Sequence, residues 1–281
     1  MTQKSFAIAL VAGLTLLGTN AKGQISITGG GGMTYNQNFD TLTRSTTAET
    51  WVNDADTTSA IDSPQRIGLL GWYCGSFGTT TTTPQIRATG TVGTGSFYSF
   101  GSVAASDRAL GTFPSDSTAS ASMRIGARFV NNTGETITGF SFSYDGEQWK
   151  NAGVTNINNQ YVLAYGIFGA GAGSLSGTYS AGLTNAYFNT PFDGTGTSTS
   201  AVLDGNLAAN RLAGLGTNIT DIAVAPGEEL WLRWFDSNSS SVDQGIGIDN
   251  FTITFEVPEP SSLVLVGLGF LCLINRARRR S

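Results

Sequence analysis

At 281 residues, with 40% hydrophobic but only 12% charged residues and 37 glycines, the chain holds enough for one large β domain or two small ones and little for long helices. Its net charge of −5 conceals a net of −11 over residues 24–260, where nine basic side chains face all twenty acidic ones, which argues against neutralising phosphates and so against nucleic-acid binding. The absence of histidine removes Ser-His-Asp and Cys-His catalysis and His-ligated zinc.

In chain order, Lys4, the apolar run 6–17 and the small residues Thr19, Ala21 and Gly23 form the charged, apolar and cleavage regions of a secretory signal peptide. We therefore expect a signal helix over 1–23 that is removed after Ala21 or Gly23. A body over 24–256 follows, in which no window sustains apolar residues at helical spacing for three turns. The glycine clusters at 29–32 and 169–173 do not open a helix after a strand and read as turns. Cys74 is the only cysteine of the body, because Cys272 lies in an apolar tail; it reads as a small buried hydrophobe. The threonine run 79–83 lacks the repeated ladder that a flat ice-facing sheet requires and reads as a loop tip.

Short runs bounded by turn residues recur at 125–130 (IGARFV), 136–144 (TITGFSFSY), 160–168 (QYVLAYGIF), 229–235 (ELWLRWF) and 247–255 (GIDNFTITF), the signature of strands. Phe140, Phe142 and Tyr144 alternate with serine, as in a half-buried strand. Asn131-Asn132-Thr133-Gly134 reads as a hairpin turn, Asp145-Gly146 as a turn with Glu147 at its edge, and Pro226-Gly227 as a turn before Glu228. Residues 204–215 form the one weakly amphipathic helix candidate, interrupted by Gly205 and Gly214. The expectation is an all-β fold, a two-sheet antiparallel β-sandwich of jelly-roll type. An up-and-down barrel and a parallel β-helix stay open, the latter disfavoured by the lack of a fixed-period repeat.

Residues 257–281 differ in kind. Val257-Pro258-Glu259-Pro260 stops the last strand, since proline lacks an N–H and fixes φ. Residues 263–274 then form an apolar stretch of about 18 Å as a helix, short of a comfortable ~20-residue span. Arg276, Arg278, Arg279 and Arg280 close the chain and would stay cytoplasmic, leaving the body outside. This succession resembles the PEP-CTERM sorting signal, a region also labelled an ice-binding protein C-terminal domain; a plain tail anchor is the alternative. The resemblance implies recognition by an exosortase, a membrane protease-transferase, in Gram-negative bacteria that make exopolysaccharide. It also implies transient anchoring at the inner membrane and release to the outer surface or matrix.

Five patches of the body are similar to a family of secreted bacterial jelly-roll modules: 35–40 (YNQNFD), 71–73 (GWY), 107–111 (DRALG), 146–149 (GEQW) and 247–251 (GIDNF). That resemblance implies a fold and a surface location rather than an activity. Three functions follow: a non-enzymatic surface or matrix protein acting with exopolysaccharide, a carbohydrate-binding module, and a carboxylate-dependent glycan hydrolase. For sugar stacking the candidates are Trp51, Trp72, Tyr73, Trp149 and Tyr187, at strand ends or in loops, while Trp231 and Trp234 read as core. For hydrolysis they are Asp145, Glu147, Glu228, Glu229 and Asp236. Asp236, Asn238, Asp243, Asp249 and Asn250 are hard oxygen donors close in sequence, the chemistry of a structural calcium, with solvated loop acids as the alternative.

Overall fold

A computed structural model describes residues 23–258 apart from 30–31, 46, 48, 51–68, 78–84, 89–94, 103–104, 115–121, 154–158, 193–198 and 240–242. The expected signal helix, Trp51, the threonine run 79–83, Glu259, Pro260, the apolar tail and its arginines lie outside those residues.

The described body is all-β, in two curled sheets. The first sheet contains β1 (Ile25–Ile27), β4 (Trp72–Phe77), β8 (Ser122–Asn131), β10 (Gln160–Phe168), β11 (Phe188–Asn189) and β14 (Glu229–Ser237). Its order is β1-β8-β14-β10-β11, with β4 also paired to β8. The second contains β2 (Thr34–Gln37), β3 (Glu49–Thr50), β5 (Gln85–Ala88), β6 (Ser96–Phe100), β7 (Ala109–Phe113), β9 (Gly139–Asn151), β12 (Ala201–Val202), β13 (Arg211–Ile219) and β15 (Gly245–Glu256). Its main path is β12-β9-β15-β7-β6-β5-β3, with β13 on β9 and β2 on β15. Pairing is not wholly antiparallel: β1 runs parallel to β8, and β5 to β6.

The sheets face one another through their alternating apolar residues. Phe140, Phe142 and Tyr144 of β9 and Ile246, Ile248, Phe251, Ile253 and Phe255 of β15 meet Ile125, Ala127 and Phe129 of β8. Leu230, Leu232 and Trp234 of β14 and Trp72 and Cys74 of β4 complete that core. Trp234 stacks on Trp72 with ring centroids 5.7 Å apart. Trp231 points to the other face of its sheet, where Tyr73 and Leu175 cover it.

Three local expectations differ from the structure. Residues 204–215 are not helical: a 3-10 turn at Ala208–Asn210 leads into β13, which pairs with β9. Gly214 takes φ 68, a poor fit to a helix, and a Cβ on Gly216 would stand 2.0 Å from the Phe142 carbonyl oxygen. A long open edge on β9 therefore outweighs weak helical periodicity. Asp145-Gly146 is no turn, because β9 runs through it for 13 residues; Gly146 instead makes room for the Phe188 ring, which a Cβ would meet at 2.2 Å. Asn131 to Gly134 joins strands of different sheets rather than a hairpin. The Asn131 amide donates to the carbonyls of Glu135 and Val224, at 2.8 and 2.7 Å, and so fixes the crossover.

Candidate functional site

Along β15 the inward residues are Ile246 and Ile248, and then Phe251, Ile253 and Phe255. The phase shifts by one because a bulge falls between Asp249 and Thr252, with Asn250 at φ 49. The partner changes at the same place, since β7 pairs with β15 up to Ile248 and β2 takes over from Phe251. The gap between those partners is lined by the residues that follow β2 and precede β7. Asn38, Phe39 and Asp40 come from one side and Asp107 and Arg108 from the other. Phe39 takes φ 55 and Asp40 Oδ1 accepts the Arg108 backbone N–H at 3.2 Å, which ties the two sides together. Bulges recur where a strand must re-aim a side chain; Asp249 keeps the outward phase set by Ile246 and Ile248, and the extra residue turns Phe251 inward.

The register places Glu147 opposite Gly247, and Asp145 opposite Asp249. Asp145, Glu147, Trp149 and Asp249 therefore share the outer face of the second sheet. Asp145 accepts from the Gly214 N–H at 2.8 Å and from the Asn250 amide at 3.1 Å, and Arg211 stands 3.8 Å from it. Glu147 and Asp249 are 0% and 3% exposed. Glu147 Oε2 accepts the Trp149 indole N–H at 2.9 Å, but Glu147 Oε1 and Asp249 Oδ1 are buried without a hydrogen-bond partner. Burial, with added repulsion from Asp107, pushes the Glu147 carboxyl up to about 7. Burial and repulsion from Glu147 push Asp249 up to about 8.

The neighbouring guanidinium does not relieve this. Arg108 is fully buried yet donates to the Ser99 hydroxyl and carbonyl and to the Ser102 carbonyl; desolvation lowers it to about 10.

Trp149 is the other half of the site. Its ring is stacked on Phe100 at 5.7 Å and 4°, while Gly205 passes so close that a Cβ would stand 2.4 Å from the indole. Trp149, itself only 5% exposed, thus lines a cleft of about 330 Å3. Gly101, Ser102 and Ala105 form one wall, and Val202, Leu203, Asp204 and Asn206 the other.

Of the other stacking candidates, Trp72 and Tyr73 are buried, Trp72 in the inter-sheet core, and Tyr187 is half-buried after the 3-10 turn Thr184–Ala186. The five calcium candidates divide. Asp236 lies between the sheets, with Thr112 Oγ1 2.5 Å from its Oδ2 and 2.7 Å from the Tyr161 hydroxyl. The Tyr161 hydroxyl gives its proton to the Ile246 carbonyl at 2.9 Å. Thr112 donates to Asp236 Oδ2. Burial drives Asp236 well above the usual carboxylate range. Asp243 is its electrostatic neighbour and accepts from Asn159 and the Ser239 N–H. Asn238 is half-buried at the end of the same strand. Asp249 and Asn250 are on the opposite, outer face of the second sheet.

Of the hydrolysis candidates, Glu229 is bound to Arg128 on the first sheet. Glu228 accepts the Ala225 N–H in the turn before β14. Asp40, Asp107 and Asp204 were not anticipated. Four of the five patches 35–40, 71–73, 107–111, 146–149 and 247–251 converge around this bulge, and their joint resemblance to secreted jelly-roll modules was the available signal.

Comparisons with known proteins bear on the tail more than on the body. The PEP-CTERM protein-sorting motif matches residues 256–280. A search of curated proteins finds no match. A solved structure of TmCBM61 in complex with β-1,4-galactotriose is similar over 52% of this chain and 70% of that one, with 8% identity and a TM-score of 0.25; a likeness that slight bears on neither site nor ligand. Val257 is buried and Pro258 exposed, so the last strand ends where the matched segment begins. Residues 256–280 are a PEP-CTERM protein-sorting motif following an all-β body, which implies a surface protein exported and sorted through the membrane by an exosortase.

Proposed function

We propose that the protein is a non-enzymatic structural or adhesive component of the cell surface or extracellular matrix, working with exopolysaccharide. The observation that carries this is the sorting motif directly after a closely packed β body. In support, among the described residues that body commits its tryptophans to its interior. The acids whose titration is most displaced, Glu147, Asp236 and Asp249, are sealed from solvent, whereas a glycosidase needs two carboxyl groups flanking a bound sugar. Deleting residues 257–281 should move the protein from the surface and matrix fractions into the periplasm or the medium. An unchanged distribution on cell fractionation would remove the sorting basis of the proposal.

A carbohydrate-binding role is the second reading, favoured by the cleft beside Trp149. Its volume is at the lower end for ligand sites, and Asp204 and Asn206 supply hydroxyl-binding groups beside the exposed Val202. Under this reading the Asp204→Ala, Asn206→Ala double variant binds at least tenfold more weakly on a glycan array of acidic and neutral polysaccharides. Absence of any hit for the native protein leaves only the structural role.

A further inference from the structure

The outer-face carboxylates Glu147 and Asp249 present a chemical problem that their surroundings leave unsolved. They lie on adjacent strands and repel each other. Each has one buried oxygen without a hydrogen-bond donor, an arrangement that costs free energy unless a cation or donor completes it. The groups facing them come from every packed element. Asp40 follows β2, Asp107 precedes β7, Asp145 is on β9, and Arg211 opens β13. The two nearby cations are committed elsewhere: Arg211 faces Asp145, and Arg108 is spent on backbone and serine oxygens. The local field is therefore strongly negative.

From this geometry we propose that Glu147 and Asp249 hold a divalent cation, with calcium as the physiological ion. Hard oxygen donors and a tolerance for irregular coordination are what calcium accepts, and extracellular modules bind it at roughly 10⁻⁴–10⁻³ M. Among the described residues no three carboxylates, histidines or cysteines converge on one point, so this pair is the protein's main charged contribution. The remaining ligands are water and backbone carbonyls near the bulge, where Asp249 and Asn250 pair with neither β7 nor β2. Asp40 and Asp107 add long-range charge. The ion would cross-link β9 and β15 at the point where β15 changes partners, and would hold the Glu147 end of the Trp149 hydrogen bond. Asp236, whose Oδ1 is likewise buried without a partner, is not part of this site, because it lies between the sheets on β14 and not on the outer face of the second.

The test uses the full chain, stripped with a chelator and titrated with terbium at neutral pH while tryptophan is excited. Trp149 donates to Glu147, so a bound lanthanide lies within range of an indole sensitiser. The expected result is saturable terbium luminescence that calcium displaces, with one ion per chain by isothermal titration and a rise in melting temperature. Glu147→Gln and Asp249→Asn should each weaken binding at least tenfold, whereas Asp236→Asn should leave it unchanged. If either outer-face variant fails to fold, the other and the native stoichiometry decide. Absence of binding by about 10 mM calcium, well above the extracellular range, would overturn the proposal in favour of a proton shared between the two carboxyls. So would luminescence that survives both substitutions.

Discussion

Replacing Arg128 by alanine is expected to destabilise the protein by about 3–5 kcal/mol, the usual cost of leaving one half of a buried ion pair behind. Arg128 of β8 lies opposite Trp231 of β14, and its guanidinium donates to Glu229 at 2.6 Å, with the two side chains 6% and 0% exposed. Glu229 is served by two further donors, the Trp231 indole at 2.9 Å and the Gly171 N–H. Burial alone would raise this carboxyl, but Arg128 and Trp231 outweigh it and hold Glu229 below its ordinary value. The pair also locates the glycine turn at 169–173, since a Cβ on Gly173 would meet the indole nitrogen at 2.1 Å. Urea unfolding checks the prediction: the midpoint should fall with an unchanged m value. The double variant Arg128→Met, Glu229→Leu should recover much of the loss, as apolar replacements of buried ion pairs often do. A loss below about 1 kcal/mol in Arg128→Ala would place the pair with solvent-screened surface bridges.

The second large effect is an inverted pH dependence. In the presence of chelator, stability should fall as pH rises from about 5 to 8, opposite to a protein whose carboxylates are stabilised as anions. The sign follows from proton binding. Glu147 is raised from 4.5 to about 7 and Asp249 from 3.8 to about 8, both first by burial, so the folded state holds protons that the unfolded state has released. The stabilisation is complete below about pH 4 and is lost progressively up to the folded-state values. At about 1.4 kcal/mol per pH unit, Glu147 alone contributes on the order of 3 kcal/mol across that window. The two groups titrate as a coupled pair rather than independently. Glu229 acts in the opposite sense: its value is lowered, so its contribution is present above about pH 4.5 and disappears as acid protonates it. Maximal stability should therefore lie near pH 4.5–5. Melting curves from pH 4 to 8 check this, and a flat or rising profile would contradict the buried, protonated pair. Glu147→Gln should flatten the slope. Calcium should restore stability at pH 8 if the cation site is occupied.

Some of this was legible in the linear sequence and some was not. The β class followed from period-two runs such as Phe140-Ser141-Phe142-Ser143-Tyr144, because each residue's face is set by strand geometry alone. Residues 204–215 were misread because helical spacing there is weak and the competing partner, the open edge of β9, is supplied from some sixty residues away. The aromatic candidates were placed at strand ends on local grounds, yet Trp72 serves the core between the sheets. Whether an indole stacks on a ligand or on Trp234 depends on what the opposite sheet brings to it.

The tail is the part that the sequence by itself determined. The motif at 256–280 is contiguous, so Val257-Pro258-Glu259-Pro260, the apolar stretch and the arginines are recognisable without any contact beyond the segment. The composition of the body likewise excluded histidine chemistry outright. Only the tertiary structure decided which acids meet. Asp236 and Asp249 are near in sequence, but Asp236 is on β14 of the first sheet, facing the space between the sheets, and Asp249 is on the outer face of the second. Asp40, Asp107, Glu147 and Asp249 are spread over most of the chain but gather at one bulge. Strand order and register control both outcomes, and the one-residue phase shift at Asn250 re-aims the residues that follow it. Such a shift moves a side chain across a sheet without leaving any mark on composition or periodicity.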